Sequence, residues 1–225
     1  MISVIIPAYN ATKTIGACLK SVFAQSYKDI EVIIVNDGST DDLNSALLCV
    51  TGKFVVYEQD NQGAPAARNF GFKQSHGESV IFLDADIIMN PKMLEKLHLA
   101  LKADPEAAFA YSSFYWGWKK FKLWLFSYEK LKEMPYIHTS ALIRREVFPG
   151  FDIGIKKFQD WDLFLTIAEN DGKGVFIAEP LFKVTAKGTM SSWLPSFVYR
   201  LPFLRFRAKD KYLEAKEIIR KKHRI

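Results

Sequence analysis

The sequence predicts an α/β protein with a mostly parallel central sheet that is covered by helices on both faces. Apolar runs rich in β-branched residues alternate with segments of helical periodicity along the first half of the chain. The 225 residues, 49% of them hydrophobic, are enough to bury the core of one sizeable domain. Polar and acidic residues directly follow the apolar runs. Because such sheets bind ligands at the carboxyl ends of their strands, we expect the functional site there.

The elements follow one another in β-α-β-α order. Strands are predicted at 4–7, 31–35, 54–57, 79–83 and 108–112, and helices at 15–23, 41–48, 64–74 and 91–103. The first helix has the clearest pattern, with apolar residues at i, i+3, i+4, i+7 and i+8 from Ile15. The fourth opens with Pro91, which suits a first helical turn. This alternation needs crossover connections and therefore favours parallel strands.

The triplet Asp84-Ala85-Asp86 directly follows the apolar run 79–83. In extended chain the two carboxylates share a face, and about 5 Å apart they repel by roughly 3 kcal/mol at an effective dielectric near 20. A cation relieves this repulsion, and oxygen ligands suit Mg²⁺ or Mn²⁺, which commonly accompany a diphosphate. Asp-X-Asp also occurs in ordinary turns, but the position after a buried strand favours a metal site.

Two further positions have the chemistry of a nucleotide site. Asp37 follows the second strand and precedes Gly38, so its carboxylate can accept a hydrogen bond from a bound base or ribose. Arg68 lies among small residues of the third helix, where its guanidinium can meet a phosphate. A solvated surface arginine is the alternative interpretation.

The basic charge of the chain is concentrated at its end. Residues 200–225 contain ten Lys or Arg and three Asp or Glu, a net +7, whereas the whole chain is +6. Pro195 and Pro202 interrupt any long helix, so we expect short amphipathic pieces at an anionic membrane surface. Packing back over the domain is the alternative. A global basic surface for nucleic acid is absent, and no apolar run approaches the ~18 residues of a membrane span, so we expect a cytoplasmic protein.

Four motifs in order resemble the inverting glycosyltransferases of family 2, which have the Rossmann-like type-A nucleotide-sugar fold. They are SVIIPAYN at 3–10, VNDGSTD at 35–41, NQG at 61–63 with ARN at 67–69, and FLDAD at 82–86. The resemblance implies that Pro7, Ala8, Tyr9 and Asp37 border the base and that Arg68 approaches the nucleotide or its phosphates. It also implies that Asp84 and Ala85 contact the nucleotide sugar and that Asp84 and Asp86 hold the metal.

The second half resembles the acceptor side of the family less tightly, through IHTSALIRREVF at 137–148, GFD at 150–152 and QDWDL at 159–163. In that pattern Asp160 is the catalytic base, usually preceded by Glu. Gln159 stands here instead, and without a neighbouring charge we expect a lower pKa of the base. A histidine of many members is missing from 184–191, and His138 is a distant substitute for which a structural role is favoured. Asp162 is interpreted as a first-turn helix charge.

The resemblance implies a catalytic domain at 1–190, with a nucleotide-sugar half at 1–107 and an acceptor half at 108–190, followed by a basic amphipathic tail at 191–225. It implies a metal-dependent inverting transfer, with Mn²⁺ or Mg²⁺, from a nucleotide sugar, a UDP-sugar first, to a hydroxyl of a glycan or lipid-linked acceptor. We expect such an enzyme to act in surface-glycan or lipid-linked oligosaccharide synthesis on the inner membrane face. Whether the chain forms a homo-oligomer is left open by the sequence.

Several alternatives remain open at this point. A polyprenyl-phosphate sugar synthase would have the same fold. A sugar-phosphate nucleotidyltransferase would need a basic glycine-rich loop near the N-terminus, which 7–12 does not provide. A non-catalytic binding module is the third. The aromatic segment 111–126 fits either core or a surface that faces an acceptor or a membrane.

Overall fold

The structure, a computed structural model, describes residues 1–185 and 207–225. Within these ranges, strands β1–β9 are Ile2–Ala8, Ile30–Asp37, Val55–Gln59, Ser79–Phe82, Ile87–Met89, Ala107–Trp116, Lys119–Phe121, Leu142–Arg144 and Lys173–Val184. Helices α1–α7 are Ile15–Phe23, Leu43–Leu48, Ala64–Lys73, Met93–Ala103, Tyr128–Glu133, Gln159–Glu169 and Arg207–His223. The predicted strands and helices of the first half are all present, with boundaries shifted by up to two residues, except that β6 ends four residues later than predicted.

All nine of these strands belong to one sheet, in the order β3-β2-β1-β4-β8-β6-β9-β5, with β7 paired to β6. Strands β1 to β4 are parallel, as predicted, because β1 pairs in parallel with β2 and β4, and β2 with β3. Strand β5 instead pairs antiparallel with β9. The second half is mixed: β6 is parallel to β9, whereas β8 runs antiparallel to β4 and β6. The α/β fold is thus confirmed, and a single sheet carries both halves of the chain.

Close packing of α3 on the sheet places the site-bearing loops. A side chain at Gly71 of α3 would put its Cβ 2.6 Å from Cγ2 of Ile5 in β1, so glycine permits a close helix–sheet contact here. The central residues of β1, including Ile5, are fully buried. This packing holds the amino end of α3 beside the carboxyl ends of β1 and β2.

The aromatic segment divides between core and surface. Tyr111 and Phe114 are buried in β6, whereas Trp118 is 93% exposed at the turn between β6 and β7. Lys120 and Lys122 are also exposed. Both alternatives given by the sequence are therefore realised, in different residues of the segment.

The basic end of the chain contains the helix α7, Arg207–His223. Its carboxyl end packs on the domain, as Ile219 and His223 are buried. The predicted interfacial pieces around Pro195 and Pro202 lie outside the described residues. No helix in the described ranges is both long and apolar enough to cross a membrane.

Candidate active site

A cleft of about 900 Å³ opens at the carboxyl ends of β1 and β2 and beside the loop after β4. Most of the predicted site residues line it, namely Pro7, Ala8, Tyr9, Asp37, Asp84, Ala85 and Asp86. Trp116 at the end of β6, Val184 at the end of β9 and His138 line it as well. Arg68 and Asp160 are not part of this lining. The cleft at the strand ends therefore brings seven of the nine predicted residues together.

Asn10 ties the loop after β1 to the loop after β2. Its backbone is left-handed, with φ 51°, a conformation that Asn tolerates better than most residues. Its Oδ1 accepts hydrogen bonds from the backbone N–H of Thr40 (2.8 Å) and of Asp41 (3.3 Å). Neighbouring Tyr9 is 47% exposed, so its ring is available at the cleft. Sequence reasoning missed this role of Asn10.

Asp37 is buried and fixes the loop that opens α3. Its Oδ1 accepts from Gln59 Nε2 (2.7 Å) and from the backbone N–H of Gln62 (2.9 Å), and its Oδ2 accepts from the N–H of Gly63 (2.8 Å). The loop crosses so closely that a Cβ at Gly38 would lie 2.8 Å from the nitrogen of Asn61. The carboxylate thus organises the cleft wall, and its predicted contact with a base stays a prediction.

Arg68 is 2% exposed and joins the two halves of the chain. Its Nη2 donates to Oδ1 of Asp84 at 2.6 Å, and its Nη1 donates to Oε1 of Gln159 at 2.8 Å. The guanidinium also lies over the ring of Phe151, 5.1 Å from its centre. Arg68 therefore bridges a strand-end carboxylate and the start of α6, and its predicted approach to phosphates stays a prediction.

The two carboxyls of the triplet have opposite pKa shifts. Burial opposes ionisation of Asp84, but the charge of Arg68, aided by His138 and by the hydrogen bond, holds the pKa below its usual value. Burial, followed by the negative charge of Asp84, raises the pKa of Asp86. A bound cation would offset both the cost of burying the charge of Asp86 and its repulsion by Asp84.

The donor set fits a hard divalent cation. Asp84 and Asp86 offer carboxylate oxygens, the ligands that Mg²⁺ and Mn²⁺ prefer. The described part of the chain has no group of three or more His, Cys, Asp or Glu side chains placed to hold a metal. Mg²⁺ usually binds through one or two carboxylates together with substrate phosphates and water, so a two-carboxylate set suffices.

Asp160 lies in the first turn of α6, directly after Gln159. Phe158, the residue before Gln159, has a left-handed backbone with φ 61°, and it turns the chain into the helix. Burial raises the pKa of Asp160 against the lowering effects of His138, the N–H of Trp161 and Arg68. The pKa comparison with a Glu-preceded base stays a prediction. What the sequence did not indicate is that Gln159 is the second acceptor of Arg68.

His138 has a defined hydrogen-bonding state. Its Nδ1 accepts the backbone N–H of Ser140 at 3.1 Å, so a neutral ring carries its proton on Nε2. The ring packs against both Phe114 (5.6 Å between centres) and Phe182 (5.2 Å). A metal ligand needs a bare nitrogen, so Nε2–H suits an oxygen acceptor better than a cation. The sequence favoured a structural role, whereas His138 lines the cleft.

The fold is that of the type-A glycosyltransferases, with an acidic cleft at the strand ends. The chain belongs to glycosyl transferase family 2, whose family model, described as "Glycosyl transferase family 2", matches residues 3–152. The resemblance noted in the four motifs is thereby confirmed.

Relatives and solved structures agree with this assignment. An uncharacterized glycosyltransferase of Rickettsia conorii is 35% identical over 153 residues, which are 66% of this chain and 23% of that relative. TarS 1-349 of S. aureus, solved in complex with UDP, superposes with a TM-score of 0.71 at 19% identity, covering 81% of this chain and 59% of that solved chain. The mannosyltransferase PcManGT from Pyrobaculum calidifontis, solved with GDP-Man and Mn²⁺, gives a TM-score of 0.67 at 19% identity over 84% of this chain and 58% of PcManGT. The chain therefore matches under a quarter of the Rickettsia relative's length and about three fifths of each solved chain.

Proposed function

We propose that this chain is a metal-dependent inverting glycosyltransferase that moves a sugar from a nucleotide sugar to an acceptor hydroxyl. One observation supports this most: Arg68 connects Asp84 of the cleft with Gln159, the neighbour of Asp160. A donor-side carboxylate and the residue directly before a candidate base on the acceptor side are thus held by one buried side chain. An inverting displacement requires such an arrangement, because the leaving group departs from one face of the anomeric carbon and the base acts on the other.

The residues of the donor side bind and orient. Pro7, Ala8 and Tyr9 would border the base, with Asp37 holding the adjoining loop in place. Asp84 and Asp86 would hold Mn²⁺ or Mg²⁺, and Ala85 lets the sugar nucleotide approach the backbone between them. The bound cation would neutralise charge that develops on the departing diphosphate. His138 would donate its Nε2–H to an oxygen of the same diphosphate.

On the acceptor side, Asp160 would take the proton of the attacking hydroxyl. As the acceptor oxygen bonds to the anomeric carbon, the bond from that carbon to the phosphate oxygen breaks, and its electron pair leaves with the nucleoside diphosphate. A pKa raised by burial brings this base closer to the operating pH, which improves proton transfer. A single displacement inverts the anomeric carbon, so an α-linked donor would give a β-linked product.

The donor class can be tested directly. TarS, solved with UDP, and PcManGT, solved with GDP-Man and Mn²⁺, have the same fold and support a nucleotide-sugar donor, with UDP-sugars as the first choice. The chain is incubated with UDP-sugars and GDP-mannose in Mn²⁺ or Mg²⁺, and free nucleoside diphosphate is assayed. Release from at least one donor, abolished by EDTA, is expected. No release from any donor with glycan or polyprenyl-phosphate acceptors would contradict the proposal.

The same assay separates the two alternative enzymes. A polyprenyl-phosphate sugar synthase would release nucleoside diphosphate only when polyprenyl phosphate is present, because the acceptor oxygen is then a phosphate oxygen. A sugar-phosphate nucleotidyltransferase would instead release pyrophosphate from a nucleoside triphosphate and a sugar phosphate.

We further propose that the enzyme works at the inner face of a membrane, beside a glycan or lipid-linked acceptor. The net +7 of residues 200–225 supports this, since each Lys or Arg near an anionic surface contributes about 1 kcal/mol. The exposed Trp118, close to Lys120 and Lys122, supplies a second surface with interfacial chemistry. Sedimentation with anionic vesicles should carry the chain down at low salt. Replacement of Arg200 and Arg205 by Gln should weaken this, and equal sedimentation of both chains would contradict a role for the tail.

A further inference from the structure

His223, close to the end of the chain, binds the helix that carries Asp160. Its Nε2 lies 2.8 Å from Oδ1 of Asp162, and its Nδ1 lies 2.8 Å from Oε1 of Glu169. Only a protonated ring can donate from both nitrogens at once. The side chains of His223 and Asp162 are 2% and 5% exposed, so their contact between α7 and α6 is shielded from water.

Other residues of α7 contact the chain on both sides of Asp160. The ring of Tyr212 meets that of Phe158 edge-on at 5.1 Å, and Nζ of Lys216 lies 5.9 Å from the centre of the Trp161 ring. Nζ of Lys222 lies 2.7 Å from Oδ1 of Asp162. The residues two before, one after and two after Asp160 are thus each held by α7.

The first turn of α6 needs such support. It begins after Phe158, whose left-handed backbone is unfavourable for a bulky residue, and no side chain caps its amino end with a hydrogen bond. The direction of the Asp160 side chain depends on this turn. Because a misplacement of about 1 Å can cost roughly 100-fold in rate, small movements of the turn would matter.

We propose that α7 is a clamp that positions the catalytic-base helix, and that His223 is its principal positioning residue. This inference rests on the proposed function of Asp160. His223 touches no substrate in this arrangement, since both of its ring nitrogens face carboxylates of α6. The clamp acts through Asp162 on the turn that holds Asp160, and it leaves the nucleotide side of the cleft unaffected.

The test compares full-length chains that carry His223→Ala, Glu169→Gln or Lys221→Ala. Lys221 is an exposed residue of the same helix, so its replacement is the matched control for a lost positive charge. We expect His223→Ala to lower kcat about 10-fold, with UDP affinity by calorimetry within twofold of the wild type. Glu169→Gln, at a partly exposed position, should give a smaller loss of kcat, and Lys221→Ala none.

Amide hydrogen exchange gives a readout that does not depend on activity. Exchange at residues 159–163 should be at least about 10-fold faster in His223→Ala than in the wild type, and unchanged in Lys221→Ala. Unchanged exchange there would overturn the clamp, as would a parallel loss of kcat and UDP affinity, which indicates general unfolding. If the wild type transfers no sugar, the proposed function fails, whereas the exchange result still decides whether α7 clamps α6.

Discussion

Arg68 and Asp84 form a partly buried ion pair in which Nη2 lies 2.6 Å from Oδ1. The pair leaves the three charged groups Arg68, Asp84 and Asp86 with a net charge near −1 when all are ionised. The charge of Arg68 explains how the two carboxylates can lie side by side without a full set of protein ligands for a cation. It also implies that a cation would bind weakly before the diphosphate of the donor adds its own negative charge.

Replacing Arg68 should damage both stability and transfer. In Arg68→Met, Asp84 and Gln159 lose their shared donor. Breaking a fully buried pair typically costs about 3–5 kcal/mol in the free energy of unfolding, and the cost is smaller here because the Asp84 side chain is partly exposed. Thermal unfolding should show a clear fall in Tm, and the pKa of Asp84 should rise. Lys73→Met, at an exposed position of the same helix α3, is the control and should change neither. A Tm equal to that of the wild type would show that the pair is dispensable.

Replacing Asp86 should separate function from folding. Burial of the charge, followed by repulsion from Asp84, raises the pKa of Asp86, and Asp86→Asn removes both effects, so Tm should stay equal or increase. Transfer should nevertheless fall at least ~100-fold, because a cation ligand is lost. Asp60→Asn, at an exposed site, serves as the matched control. Full activity of Asp86→Asn in EDTA-treated buffer would exclude the metal assignment.

Asp160 and Asp162 should behave differently although they are two residues apart. Asp160→Asn should lower kcat by roughly 10²-fold to 10⁴-fold with unchanged UDP affinity, because a general base acts on the acceptor. Asp162→Asn should lose its contacts with His223 and Lys222, which lowers Tm and reduces kcat far less. Calorimetry and steady-state kinetics measure both. If Asp160→Asn loses nucleotide affinity, or Asp162→Asn is the inactive variant, the assignment is wrong.

The sequence predicted those features that depend on local pattern. Asp37 and Asp84 could be placed at the cleft because an apolar run followed by a carboxylate marks the carboxyl end of a buried strand. The partner of Arg68 was not predictable, because Gln159 lies 91 positions away and no periodicity relates the two. The direction of the strands in the second half was equally unpredictable from the sequence. The short strand Leu142–Arg144 has too few residues to display a pattern, and its antiparallel pairing depends on distant strands.

Asp162 illustrates the same limit. Its place in the first turn of a helix is local information, and the structure confirms it. Its burial against His223, 61 positions later, depends on where α7 docks. A charged residue next to the apolar residues of α6 was the available signal, but it does not identify a partner.

The hydrogen-bonding state of His138 leads to a specific substitution test. If Nε2–H donates to the diphosphate, His138→Ala should lower transfer by about 10-fold to 100-fold, and His138→Gln, whose amide can supply a donor at a similar distance, should recover part of it. A histidine acting as a cation ligand would instead change the Mn²⁺ concentration needed for half-maximal rate, without recovery in Gln. Titrating Mn²⁺ at saturating donor distinguishes these results.

The contact between His223 and α6 should make stability depend on pH in a defined direction. Burial lowers the pKa of His223, but hydrogen bonds and charges from Asp162 and Glu169 outweigh it, so the folded-state pKa lies above the ordinary value of 6.5. A raised pKa means that protonated His223 favours the folded chain. Its contribution is complete below about pH 6.5 and is lost as pH rises through the folded-state pKa.

The measurement is the difference in Tm between the wild type and His223→Ala, taken from about pH 5.5 to pH 9. The difference should be largest at the acid end and should shrink as pH rises. Lys222, whose pKa is raised from 10.5, keeps its charge through this range, so the change belongs to His223. Lys221→Ala should give a small and constant difference. A difference that stays constant or grows with pH would mean that His223 is held neutral, with only one of its two carboxylate contacts made as a hydrogen bond.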